Sequence, residues 1–375
     1  MIATDKTATP DPIELAVALH EQAVVSYHQG DPQKAEYLFR RSLELLEEAE
    51  GPNQPDVANV LNNIGAIYED RCEYVEAESL YARSVEIMKL IESDGDLLED
   101  EDLHRLRIQS FSSLSRIRRI QGGYEEAETH LLTALRIAEQ AFGVDDCEVA
   151  GVLNDLGMLY RFSGRFDKAE PLYSRALAII EEELGPDHEA TASIYHNLGG
   201  LEHARGDYAK GEVFARRSVE LRESVCGPDH PDVAADIAAL AALLDGQGKY
   251  DEAEALYYRA LAVFERVYGR EHYEIAVNLN NLAAIYQAKG LLAKAEQFYK
   301  EALAIKEKIL GSDSVEVAMT ANNLGVLYKI QGRYDEAKQL YGRALVIFEK
   351  SLDPQHPSFV ACRDNSDALA DLLAR

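Results

Sequence analysis

Apolar residues recur along the chain at steps of three, four and seven, and the whole pattern returns at a fixed longer interval. A marker alanine following a charged residue stands at Ala35, Ala77, Ala127, Ala169, Ala253, Ala295 and Ala337, with Gly211 in the same place; the interval is 42 residues except for 50 between Ala77 and Ala127. Thirteen residues before the marker stand Ile64, Leu114, Leu156, Leu198, Leu240, Leu282 and Leu324, each followed by a small residue such as Gly65, Gly157 or Ala241. Four residues after it come Phe39, Tyr81, Leu131, Tyr173, Ala215, Tyr257, Tyr299 and Tyr341, and three later a Ser or Ala. These steps align residues on one face of a helix and do not fit the two-residue period of a strand. A large residue beside a small one predicts a close helix crossing. Between the two apolar patterns lies a glycine suited to a helix C-terminus, replaced once by Cys72. Each repeat is predicted to be helix, turn, helix.

Eight such repeats run from about Glu14 to Pro357, with acidic residues inserted near 93–102. One repeat cannot bury its own apolar face, whereas stacked repeats share a continuous core. The expected fold is therefore all-α, a right-handed α-solenoid of eight helix pairs. Residues 1–13 are expected to be disordered. Residues 358–375 read as an amphipathic capping helix, with Leu369, Leu372 and Leu373 set among aspartates.

The large-small pair, the aromatic before the charged-Ala step and the later aromatic and Ala resemble the tetratricopeptide repeat. Segments such as Leu61-Asn62-Asn63-Ile64-Gly65-Ala66-Ile67-Tyr68 and Gly227-Pro228-Asp229-His230-Pro231 are similar to the 42-residue repeats of kinesin light chains and their bacterial relatives. Kinesin light chains carry a heptad coiled coil ahead of their repeats. Only 13 residues precede the first repeat here, so heavy-chain binding is not carried over.

The formal charge of −28 disfavours binding to nucleic acid or to an anionic membrane. An apolar content of 47% supplies a large core, which argues against wholesale disorder. Cys72, Cys147, Cys226 and Cys362 form no C-x-x-C pair, and the N-terminus has no apolar signal segment. A reducing cytoplasm is the expected compartment.

Candidate chemistry is sparse. His188, His230, His272 and His356 recur one repeat or more apart and read as loop and cap residues, not as ligands of one metal. The repeated Glu-Ala-Glu steps read as acids favoured at helix N-termini. No nucleophile elbow or phosphate-binding glycine loop is present, and no enzymatic activity or cofactor is expected.

The resemblance implies a concave groove lined by positions 18, 15, 11, 8 and 7 residues before the marker. There the sequence offers an asparagine ladder, Asn62, Asn154, Asn280 and Asn322 with His196, whose amides suit the backbone of an extended peptide. It also offers Arg116, Arg119 and Arg161, a basic cluster in a very acidic chain, able to hold an acidic side chain or C-terminal carboxylate. Met158 and Lys329 add an apolar and a basic contact, beside Phe162, Val326 and Ile330. Alternatively, the acids around Asp94–Asp102 pair with the arginine helix, or compete with a partner as a tethered pseudo-ligand. The expected function is a non-enzymatic scaffold or adaptor binding an acidic peptide. The alternative is a regulatory or assembly subunit using its convex surface and loops. The sequence leaves oligomeric state open.

Overall fold

A computed structural model describes residues 11–91 and 100–374, and these form seventeen α-helices with no strand among them. The first pair is α1 (Pro12–His28) and α2 (Pro32–Glu50), followed by α3 (Pro55–Asp70) with α4 (Tyr74–Ile91) and α5 (Glu101–Gln121) with α6 (Tyr124–Phe142). Then come α7 (Cys147–Phe162) with α8 (Phe166–Glu183), α9 (Glu189–Arg205) with α10 (Tyr208–Cys226) and α11 (Pro231–Gly246) with α12 (Tyr250–Tyr268). The last pairs are α13 (Tyr273–Ala288) with α14 (Leu292–Leu310) and α15 (Val315–Ile330) with α16 (Tyr334–Ser351), and α17 (Pro357–Ala374) follows them. The chain divides into two compact units, one of Met1–Arg118 and Glu126–Gly143, the other of Arg119–Glu125 and Val144–Arg375. The acids expected to insert at 93–99 lie outside the described residues.

The pattern behind each pair is steric. A Cβ on Gly157 would come within 2.6 Å of the Tyr173 ring, and one on Gly65 would meet Tyr81 at the same distance, so the small residue seats the aromatic of its own second helix. Ser42 Oγ donates to Ala16 O at 2.8 Å and Ser218 Oγ to Ala192 O at 3.0 Å, tying the second helix to the first. The marker alanines are fully buried. The turn glycines adopt the left-handed region, Gly164 at φ 73° and Gly206 at φ 80°, and Cys72 at φ 58° is the one non-glycine there among the described residues.

The recurring histidines are N-caps. His188 Nδ1 accepts from Ala190 N at 3.1 Å, His230 from Asp232 N at 3.2 Å, His272 from Glu274 N at 3.3 Å and His356 from Ser358 N at 3.2 Å. Each satisfies a donor that the helix cannot pair internally.

The acids at the start of the second helices, those of the Glu-Ala-Glu steps among them, do more than meet the helix dipole. The glutamate after the marker accepts from cations of the following repeat: Arg205 to Glu170 at 2.7 Å, Lys249 to Glu212 at 3.0 Å, Lys289 to Glu254 at 2.6 Å and Arg333 to Glu296 at 2.8 Å. The Glu212 carboxyl is held down to about 2: burial opposes the shift, and hydrogen bonds from Gln247, Lys249 and Arg216 outweigh it. These acids fasten repeat to repeat.

Candidate functional site

The face carried by the first helices is built from the columns named above. Within the second unit, α7 touches α9, α9 touches α11, α11 touches α13 and α15 touches α17. Register therefore sets which side chains meet: the residue eight before one marker lies against the residue eleven before the next. Arg161 and Gly200 are such a pair, and a Cβ on Gly200 would stand 1.9 Å from an Arg161 terminal nitrogen. Only glycine leaves the guanidinium its place.

Several expected site residues are committed elsewhere. Asn62, expected at the groove surface, is 2% exposed and donates to Ser110 Oγ at 2.9 Å. Arg116 is no free cation, because its Nη2 donates to Glu69 Oε2 at 2.9 Å inside the first unit. His196 Nδ1 lies 2.7 Å from Asp236 Oδ1, and the other carboxylate oxygen of that buried acid accepts from Arg222 Nε at 2.7 Å. Asp236 stays ionised despite burial, since His196 and Arg222 hold its carboxyl below the usual range.

The asparagine ladder is largely a seam between repeats. Asn154 Oδ1 accepts from Asn197 Nδ2 at 2.7 Å, Asn280 Oδ1 from Asn323 at 3.1 Å and Asn322 Oδ1 from Asn365 at 3.0 Å. Each rung joins one asparagine to the neighbouring position of the next repeat, a pattern already written in the doublets Asn280-Asn281 and Asn322-Asn323. Each of these acceptor oxygens already takes one hydrogen bond along the seam. The half-buried Nδ2 groups of Asn154 and Asn322 are left as donors.

Arg161 remains. Its guanidinium lies 4.5 Å from the centroid of the Phe162 ring, and Arg119, which groups with the same unit, lies 4.5 Å from that ring as well. Phe162 is 45% exposed. No carboxylate pairs with Arg161 among the described residues, and burial pulls its pKa down, against a smaller opposing effect of Tyr173. Beneath it, the Tyr173 side chain is fully buried and its hydroxyl has no hydrogen-bond partner. The His203 imidazole nearby is held below its usual pKa by burial and by the Arg161 charge.

The first unit supplies a contrast. There the residue eight before the marker is Glu69, and the equivalent Tyr81 hydroxyl donates to it at 3.0 Å. With arginine in that position, the phenol finds another donor where its acceptor would be. A desolvated guanidinium and an orphan hydroxyl are thus left together as donors. Lys329 and Tyr341 hold the equivalent positions of their repeat in α15 and α16: Lys329 is half-buried with no ion pair among the described residues, and the buried Tyr341 hydroxyl is also unpartnered. Met158 is half-buried and Ile330 is 54% exposed, so apolar surface flanks both donor sets. The sequence picked out Arg161 and Lys329 but missed Tyr173, Tyr341 and Gly200.

Paired helices with these caps, crossings and inter-repeat seams define a helical repeat protein of the solenoid class. The profile of the tetratricopeptide repeat matches residues 14–89, 106–169, 148–224, 191–266, 235–308, 274–350 and 316–364. The chain belongs to the tetratricopeptide repeat family. No curated protein matches it. Among solved structures it is similar to BtubC (BKLC) of P. vanneervenii, with 26% identity over 60% of this chain and 89% of the other at a TM-score of 0.48. The nearly identical repeats of a Podosopora anserina kinesin light chain share 22% identity over 55% of this chain and 97% of the other, TM-score 0.44. A Rap protein complexed with Competence and Sporulation Factor shares 17% identity over 97% and 99% of the two chains, TM-score 0.54, a likeness of fold. Among the described residues no helix is long and apolar enough to cross a membrane.

Proposed function

We propose that this chain is a non-catalytic scaffold or adaptor that captures a segment of a partner protein along its first helices, with an acidic group of that segment seated at Arg161. The observation that carries this reading is the Arg161 guanidinium, desolvated and without a carboxylate, above the buried and unpartnered Tyr173 hydroxyl. A charge withdrawn from water without a partner is a standing cost, and an arriving carboxylate removes it. Guanidinium geometry suits two parallel bonds to a carboxylate, and the exposed Phe162 beside it gives an apolar side chain somewhere to rest. The Rap protein that shares this fold is complexed with Competence and Sporulation Factor, which is in keeping with recognition of a partner by such a fold.

The rival surface is the outer one, where Val213 and Val346 of the second helices are 68% and 52% exposed. Affinity capture of partners from lysate separates the two. The proposal expects Arg161→Glu to lose the partners while Val213→Glu with Val346→Glu keeps them, both variants matching the wild type in helicity. The reverse pattern moves the function to the outer surface.

A further inference from the structure

The unpaired groups on this face are not all donors. In α11 the position that holds Arg161 in α7 and Lys329 in α15 is occupied by Asp245. This carboxylate is half-buried, makes no ion pair or side-chain hydrogen bond among the described residues, and burial alone raises its pKa. Its charge is felt by the buried Tyr257 of its own repeat and by Tyr299 of the next. The following position in the same column is Gln287, whose Oε1 is buried and accepts no hydrogen bond. Ala238, Ala242 and Ala284, at neighbouring positions of the same two helices, are small and neutral. The other cations that α11 and its neighbours bring near are spoken for: Arg222 holds Asp236, Lys210 holds Glu202, and Lys249 and Lys289 hold Glu212 and Glu254.

The column thus reads donor, acceptor, donor at every second repeat, with Arg161 and the Tyr173 hydroxyl, then Asp245 and Gln287 Oε1, then Lys329 and the Tyr341 hydroxyl. We propose that the captured segment is bipolar: a lysine or arginine seats between Asp245 and Gln287, flanked by an acidic residue toward Arg161 and a second toward Lys329. This deepens the function proposed above and rests on it. A purely acidic segment would pass over Asp245 with like charge against like charge and leave an acceptor pair unfilled. A bipolar one compensates every orphan group in the column. With first helices packed about 10 Å apart, two repeats span roughly 20 Å, and an extended chain covers that in about six residues at ~3.3 Å each.

The test is selection from a phage-displayed library of random 20-residue peptides on immobilised full-length protein, with wild type, Asp245→Asn and Arg161→Gln in parallel after thermal melts show all three folded. Wild type is expected to enrich sequences with a base about six residues from an acid. Asp245→Asn is expected to drop the base and keep the acid, and a synthetic wild-type consensus peptide should bind that variant at least tenfold more weakly. Arg161→Gln is expected to drop the neighbouring acid. If wild type enriches acids without the base, or Asp245→Asn enriches the unchanged consensus, the bipolar reading is overturned while capture at Arg161 stands. If Arg161→Gln enriches the wild-type consensus, or no sequence is enriched by wild type, both readings are overturned.

Discussion

Gly200→Ala isolates the position of Arg161 from the stability of the fold. Gly200 is a helical residue inside α9, so alanine there lowers the backbone entropy cost and stabilises the helix by about 1 kcal/mol on intrinsic propensity. The new methyl carbon would stand 1.9 Å from an Arg161 terminal nitrogen and 3.2 Å from the guanidinium carbon, so the flexible end of that side chain has to move. Gly151 in α7 is the matched control, because a Cβ there meets nothing within 4 Å. Both variants should melt at or above the wild-type temperature. Only Gly200→Ala should weaken binding of an acidic consensus peptide, by the value of one or more charge-assisted hydrogen bonds, about 1.5–3 kcal/mol or roughly 10- to 150-fold. Fluorescence anisotropy with the labelled peptide reads the affinity, and a thermal melt on the same samples reads the fold. Equal affinities for the two variants would refute the claim that Arg161 acts from the place Gly200 gives it.

Three further outcomes follow from the same structure. Tyr173→Phe removes a buried hydroxyl that has no partner, so the free protein should gain about 1 kcal/mol in a denaturant titration, while acidic-peptide affinity falls. Cys72→Gly relieves a left-handed residue at φ 58° and should stabilise by about 0.5–1 kcal/mol. His272 and His356 cap helices through an unprotonated Nδ1, and burial lowers both pKa values in the fold. Their contribution is complete above the unfolded value of about 6.5 and is lost as the pH falls through the lower folded value. Melts between pH 7.5 and 5 should show this loss, about 1 kcal/mol per cap, and His272→Asn should lessen it.

The period carried most of the fold. Gly157 beside Leu156, with Tyr173 sixteen residues beyond Gly157, already specifies a close crossing, and the crossing is where those residues meet. The candidate site was less legible, for a physical reason. Whether a charge is free depends on its neighbour in the next repeat, and the sequence alone does not show that register. Arg116 and Arg161 look alike in sequence, yet the first faces Glu69 and the second faces Gly200. The seam within the ladder was hidden for the same reason, since Asn154 meets Asn197 at a separation of 43 residues. The adjacent asparagines were the available signal. Asp245 escaped notice because one acid is unremarkable in a chain of charge −28 until its surroundings are seen to hold no cation.

The central claim is that Arg161 and an acidic group of the partner segment meet directly, and a double-mutant cycle measures that contact. Wild type and Arg161→Gln are each titrated with the consensus peptide and with the same peptide carrying the amide in place of its acid. The account predicts that Arg161→Gln weakens the acidic peptide at least tenfold and the amide peptide hardly at all, a coupling of about 1.4 kcal/mol or more. Losses that simply add, with no coupling, would contradict it.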